Sequence, residues 1–165
     1  MEWGRAYDPY RHAEALGAEV VVSSAVTGWG DYRGGRIRVH PILNQAEARC
    51  TVAHEIVHHE RRDDVLGYCG VHWLDTRLER RVHASASRRL IVVTELADAL
   101  RWSDEPEEVA EALVVDVRTL CLRVVDLSRR EFDELHKRLG TWERRALDDV
   151  RRSAARRLRS SRRAG

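Results

Sequence analysis

The chain has 165 residues, 43% apolar and 34% charged, with a formal net charge of +2; this balance suits a compact core and excludes wholesale disorder. Its longest aliphatic run, Leu90-Ile91-Val92-Val93, is far too short to span a bilayer, and no charged segment leading into an apolar stretch marks a secretory signal. Three widely spaced cysteines, Cys50, Cys69 and Cys121, suit free thiols in a reducing cytoplasm better than a disulfide scaffold.

Residues 1–43 read as mixed structure with strands. Glu19-Val20-Val21-Val22-Ser23 is a β-branched run, residues 28–35 are glycine-rich punctuation, and Arg36-Ile37-Arg38-Val39-His40 alternates polar and apolar with period two. Two strands around a glycine-rich turn predict a small antiparallel sheet, with Pro41 ending the second strand or marking it as an edge because it has no N–H to donate. Asn44 and Glu47 have capping-box spacing, and no Gly or Pro interrupts the chain from Gln45 to about Arg61, which predicts a helix.

Residues 61–74 read as a loop broken by Gly67 and Gly70. A second long helix is predicted from near Asp75, because Leu74, Leu78, Val82, Ala86, Leu90 and Val93 recur every three or four residues. Farther on, Thr94 is positioned to cap a helix through Leu100, Pro106 to open another, and Asp116 to cap a third. Ser128 with Glu131 forms a capping box for a fourth. The fold class is therefore α+β, with segments 1–93, 94–140 and 141–165. The last is an arginine-rich helical or frayed tail: residues 151–165 hold seven arginines and no acid, leaving 22 basic against 27 acidic side chains elsewhere. Such a tail can touch nucleic acid or an acidic partner, and the plainer reading is a solvated helix end.

Chemistry concentrates in His54-Glu55-Ile56-Val57-His58, an H-E-x-x-H sequence inside the first long helix. Four residues at about 100° each advance about 400°, so the two histidines stand one turn apart on one face. There they can hold one zinc ion at about 2.0–2.1 Å, while Glu55, turned away from the ion, can act as general base on a water beside it. A third ligand is needed, and Cys69, His72, Glu79 and His83 are candidates. Glu79 is the best of them. It borders the buried stripe beside Leu78 and Val82, where an unpaired carboxylate is costly and a metal explains it.

The stretch from Gln45 to His58, followed by Glu79-Arg80-Arg81-Val82-His83-Ala84-Ser85-Ala86-Ser87-Arg88-Arg89-Leu90-Ile91, resembles the ImmA/IrrE-type metallopeptidases, and more narrowly their short actinobacterial and phage versions. The resemblance runs over residues 36–100, is weaker over 101–140 and gives nothing for the tail. It implies a minimal zincin-like fold of two long metal-bearing helices beside a small sheet. It also implies one zinc held by His54, His58 and Glu79, and Glu55 as base. Val82, His83 and Ser85 stand where the broader family shows alanine, asparagine or aspartate, and an aromatic. The implied substrate is a repressor protein with its own DNA-binding domain, in phage immunity or a stress response.

His83, one turn after Glu79, reads as a partner behind the ligands, as an oxyanion donor, or simply as a half-buried helix histidine. An extended substrate is expected to add to an edge strand around Arg36–His40, which makes Arg38 a substrate-binding candidate. Tyr68 is a second one if its loop is a mobile lip, the alternative being that Tyr68 and Trp73 pack under the loop and cap the core. Residues 94–125 have helix-turn-helix rhythm, with Pro106–Leu113, a turn at Val114–Asp116 and Val117–Val125, and with Arg118, Thr119 and Arg123 as reading side chains. The crowd of Glu105, Glu107, Glu108 and Glu111 disfavours DNA there. The expected function is a cytoplasmic zinc endopeptidase acting on a protein. The alternatives are a non-catalytic repressor-binding module, and a DNA-binding regulator using the helical half and basic tail.

Overall fold

A computed structural model of the chain describes residues 7–26, 28–61 and 72–163. Among them lie eight helices and one three-stranded sheet, a mixed α+β architecture dominated by helix. The chain divides into two compact units between Ala86 and Ser87.

In the first unit, the Asp8 carboxylate accepts from the amides of Tyr10 and Arg11 and Pro9 opens the first turn, so a short helix α1 (Pro9–Ala15) forms. Gly17, at φ 73°, then reverses the chain into β1 (Glu19–Val22). Two further strands, β2 (Gly30–Arg33) and β3 (Arg36–Val39), meet at Gly34–Gly35, both at positive φ as a tight hairpin turn requires. The strand order is β1-β3-β2.

This corrects the expected antiparallel sheet. The glycine-rich stretch is not only a turn, since it contains β2, and β1 pairs with β3 in parallel while only β2 is antiparallel to it. It also overturns the expected edge strand: β3 is central and β2 lies at an edge. Ile37 and Val39 on β3 turn one way into a core with Ala13, Ala18, Val52 and Ile56. Each fully buried isoleucine there is worth roughly 1.5–3 kcal/mol.

Helix α2 (Gln45–Arg61) begins at a reciprocal cap, in which the Glu47 amide donates to Asn44 Oδ1 at 3.0 Å and the Asn44 amide donates to Glu47 Oε2 at 2.9 Å. Helix α3 (His72–Leu90) starts three residues before the expected point and buries Val82, Ala86 and Leu90 of the anticipated stripe.

The second unit holds α4 (Val93–Leu100), α5 (Pro106–Ala112), α6 (Val117–Val125), α7 (Arg129–Arg138) and α8 (Thr141–Arg163). Its core is built from Leu96, Leu100, Val109, Leu113, Leu120, Val124, Leu135 and Leu147. Asp116 caps α6 through the Thr119 amide at 2.7 Å, and Ser128 with Glu131 closes a full capping box. Thr94 is not a cap; α4 starts one residue earlier, at Val93, with no side-chain cap.

Two further expectations are corrected in this unit. Arg123 is no reading side chain: it is 2% exposed, donating from Nε to the Ile91 carbonyl at 3.0 Å and from Nη2 to Glu131 at 2.6 Å. The Thr119 hydroxyl likewise turns back to Asp116, and only Arg118 faces solvent. Of the helical and frayed readings of the tail, the described length is helical, with Ala146, Leu147, Val150 and Ala154 burying one side of α8.

Candidate metal centre

The first helix face sets the donors. His54 and His58, one turn apart on α2, bring their Nε2 atoms to 3.1 Å of each other. Glu79 arrives from α3 with one carboxylate oxygen for each imidazole: Oε2 is 3.3 Å from His54 Nε2 and Oε1 is 3.3 Å from His58 Nε2. A donor atom from each of the three residues lies within 4.8 Å of the others, so the group could hold a metal ion. Atoms about 2.0–2.1 Å from a tetrahedral ion sit about 3.3–3.4 Å apart, close to the separations found here. Two nitrogens and a carboxylate oxygen also match the donor chemistry of zinc. His54 Nδ1 is buried without a partner, which leaves that imidazole held through Nε2.

A second face of α2 meets the sheet. Thr51, Glu55 and His59 recur every four residues, and β2 lies along them. Gly30 abuts Thr51, and the Tyr32 ring is 4.6 Å from that of His59. Glu55 stands between these two contacts and is buried, 8% exposed. Its carboxyl is held above the usual range, first by burial; the neighbouring His54 and His58 work the other way, and the charges of Glu79 and Asp31 add to the rise. His83 completes the cluster, its Nε2 4.0 Å from Glu79 Oε2 and its ring centroid 4.3 Å from that of His54.

The structure thus brings together His54, Glu55, His58, Glu79 and His83. It separates Arg38 from them. Because Ile37 and Val39 face α2, Arg38 lies on the opposite face of the sheet, where it grips Asp31 with Nε at 2.6 Å and Nη2 at 2.5 Å. That face and that pairing set it apart from the candidate metal donors. Tyr68 and Cys69 lie outside the described residues, as does the side chain of His72. Gly30, Tyr32 and Thr51 escaped the sequence reading; the signal available was a glycine followed two residues later by an aromatic, a small-then-large alternation along one strand face.

Comparison of the chain with models of known protein families, with curated proteins and with solved structures finds no match. Among the described residues, no helix is long and apolar enough to cross a membrane.

Proposed function

We propose that the chain is a zinc-dependent endopeptidase of the H-E-x-x-H…E type whose substrate is a DNA-binding repressor protein. The observation that carries the reading is the delivery of one Glu79 oxygen to each of two imidazoles from a separate helix. A zinc ion bound by His54, His58 and Glu79 would supply Lewis-acid polarisation of the scissile carbonyl and acidify a water.

The rest is work for the chain's own residues. Glu55, buried beside the donors, takes the proton of the attacking water and returns it to the leaving amine. His83, its Nε2 4.0 Å from Glu79 Oε2, is assigned two tasks: to orient that ligand and to donate to the negative charge that develops on the carbonyl oxygen. The edge strand β2, passing along the Glu55 face of α2, offers unpaired backbone groups on its outer side to an extended peptide. The repressor as substrate rests on the resemblance to the ImmA/IrrE-type peptidases, and so does the setting in phage immunity or stress.

Co-expression with a candidate DNA-binding repressor protein tests the reading. The wild-type chain is expected to yield repressor fragments, and Glu55→Gln to keep one zinc per chain, by elemental analysis, while yielding none. Relief of repression by Glu55→Gln without fragments would replace the peptidase by a repressor-binding module. A chain that takes up no zinc would end both.

A further inference from the structure

Helix α8 presents two unlike sides. At about 100° per residue, its buried positions Ala146, Leu147, Val150 and Ala154 form one side, and Arg145, Arg152, Arg156 and Arg159 fall on the other within about 60° of one another. The remaining arginines of α8 with described side chains are engaged. Arg144 donates to the His136 carbonyl at 2.6 Å, Arg151 donates to the Val124 carbonyl at 3.2 Å while lying 4.9 Å over the Phe132 ring, and Arg157 pairs with Glu107 at 2.7 Å.

Along the outer ridge, Arg152 is paired with Asp149. Among the described residues, Arg145, Arg156 and Arg159 have neither an ion pair nor a hydrogen bond through the guanidinium, and no acid follows Asp149 in the chain. Asp148 and Asp149 flank the row between Arg145 and Arg152, but no acid of α8 lies within a turn of Arg156 and Arg159, whose like charges at i, i+3 spacing repel unless something anionic covers them. The acids of α5 do not. The flank of α8 that meets Glu107 through Arg157 lies about 140° round the helix from the ridge.

We propose that this arginine ridge is a docking surface for the phosphate backbone of duplex DNA. Arg145 to Arg159 span about 21 Å of helix, a length over which duplex DNA presents about a dozen charges. Guanidinium forks match phosphate oxygens in pairs. A lipid surface fits less well because the apolar side of α8 is spent in the core, and a single exposed Trp142 is too little to seat the helix in a bilayer. An acidic protein partner fits less well because Trp142, the aromatic side chain exposed on α8, lies about 60° round the helix from Arg145 at one end of the ridge and not at its centre. The binding would be independent of sequence, since a convex ridge of this kind reads backbone and not base edges. It involves only the second unit, and so stands or falls separately from the metal centre.

Fluorescence anisotropy of the full chain with an arbitrary duplex of about 30 base pairs tests it. With three or four phosphate contacts, affinity is expected to fall about 40- to 150-fold between about 50 and 200 mM salt. The triple substitution Arg145→Gln, Arg156→Gln and Arg159→Gln, which preserves helix propensity, is expected to weaken binding at least about tenfold at the lower salt and flatten the salt slope by two to three. Arg11→Gln, Arg33→Gln and Arg36→Gln together remove the same charge from exposed positions of the first unit and are expected to leave the slope nearly intact. Equal losses in the two triple variants, no duplex binding by the wild-type chain at the lower salt, or binding to vesicles containing phosphatidylserine in place of duplex would each overturn the proposal. Matching thermal melts of the variants keep the comparison clean, and each single ridge substitution should then lower the slope by about 0.9.

Discussion

Gly30 and Thr51 leave no room between them for a side chain: a Cβ on Gly30 would fall 2.5 Å from Thr51 Cγ2 and 2.7 Å from the Arg38 carbonyl oxygen. The contact fixes how closely β2 approaches α2, and hence how Glu55 is enclosed one turn farther along the helix. Gly30→Ala is expected to push the strand off the helix and cost about 1–3 kcal/mol through overpacking. Because the candidate metal donors face α3 and not β2, metal content should hold while the proposed peptidase activity drops. Thermal melts with elemental analysis on the same sample check this; loss of zinc together with stability would mean that the two faces of α2 are not independent.

Metal removal should be visible in stability as well as in activity. A ligand present at about 1,000 times its Kd stabilises the folded state by about 4 kcal/mol. A chelator is therefore expected to lower the melting temperature of the wild-type chain, and to do little to His54→Ala, His58→Ala or Glu79→Ala. His83→Ala should retain zinc and lose activity, since His83 contacts Glu79 and is not in the donor group. A chelator shift that survives Glu79→Ala would remove Glu79 from the ligand set.

What was legible in the sequence follows the range of the interactions involved. The caps at Asn44, Asp116 and Ser128 were readable because each is a contact across three residues, and the helix lengths followed from them. The His54–His58 pair was readable for the same reason, and Glu79 because a carboxylate bordering a buried stripe demands a partner. The sheet was not. The β1–β3 register joins Glu19 to Arg36 across the intervening β2, and β2 has only four residues, the first of them Gly30, too short a run to show its period. Helix α1 went unread because its seven residues give less than two full turns of pattern. Arg123 looked like an exposed basic residue because its partners, Ile91 and Glu131, are 32 and 8 positions away.

That buried pair makes the second unit sensitive to acid. Burial acts to raise the Glu131 carboxyl, but the bond from Arg123 and the bonds from the Ser128 amide at 2.9 Å and hydroxyl at 2.8 Å outweigh it and hold it at about 2, against 4.5 for a free side chain. A carboxylate whose folded value is depressed contributes stability above its unfolded value and loses it as pH falls toward the folded one. The window is therefore pH 4.5 down to about 2. Allowing for the partial exposure of Glu131, the loss should be about 2 kcal/mol. Glu131→Gln is expected to be less stable than wild type at neutral pH by about 3 kcal/mol, because it strands a buried guanidinium. The gap should narrow as the wild type titrates. Denaturant unfolding at several pH values measures both, and a gap that stays constant down to pH 2 would detach the acid sensitivity from Glu131.

The turn between α5 and α6 carries a different cost. Helix α5 ends with the Val115 amide donating to the Ala110 carbonyl and the Val114 amide to the Glu111 carbonyl, both at 3.0 Å, the paired bonds of a Schellman stop. That motif places one residue in the left-handed region. Here it is Val114, at φ 53°, where glycine is the usual occupant. A β-branched side chain in this conformation costs about 1–2 kcal/mol, and with 39% of Val114 exposed little burial compensates. Val114→Gly removes that strain but gives back part of the gain through the greater freedom of glycine in the unfolded chain, about 0.5–1 kcal/mol. The net expectation is a stabilisation of about 0.5–1 kcal/mol, read as a rise of a few degrees in melting temperature. Val114→Ala should fall between the two, keeping the left-handed penalty of a Cβ but losing the branch. If Val114→Gly melts lower than the wild type, the valine side chain holds the turn through packing worth more than its backbone strain.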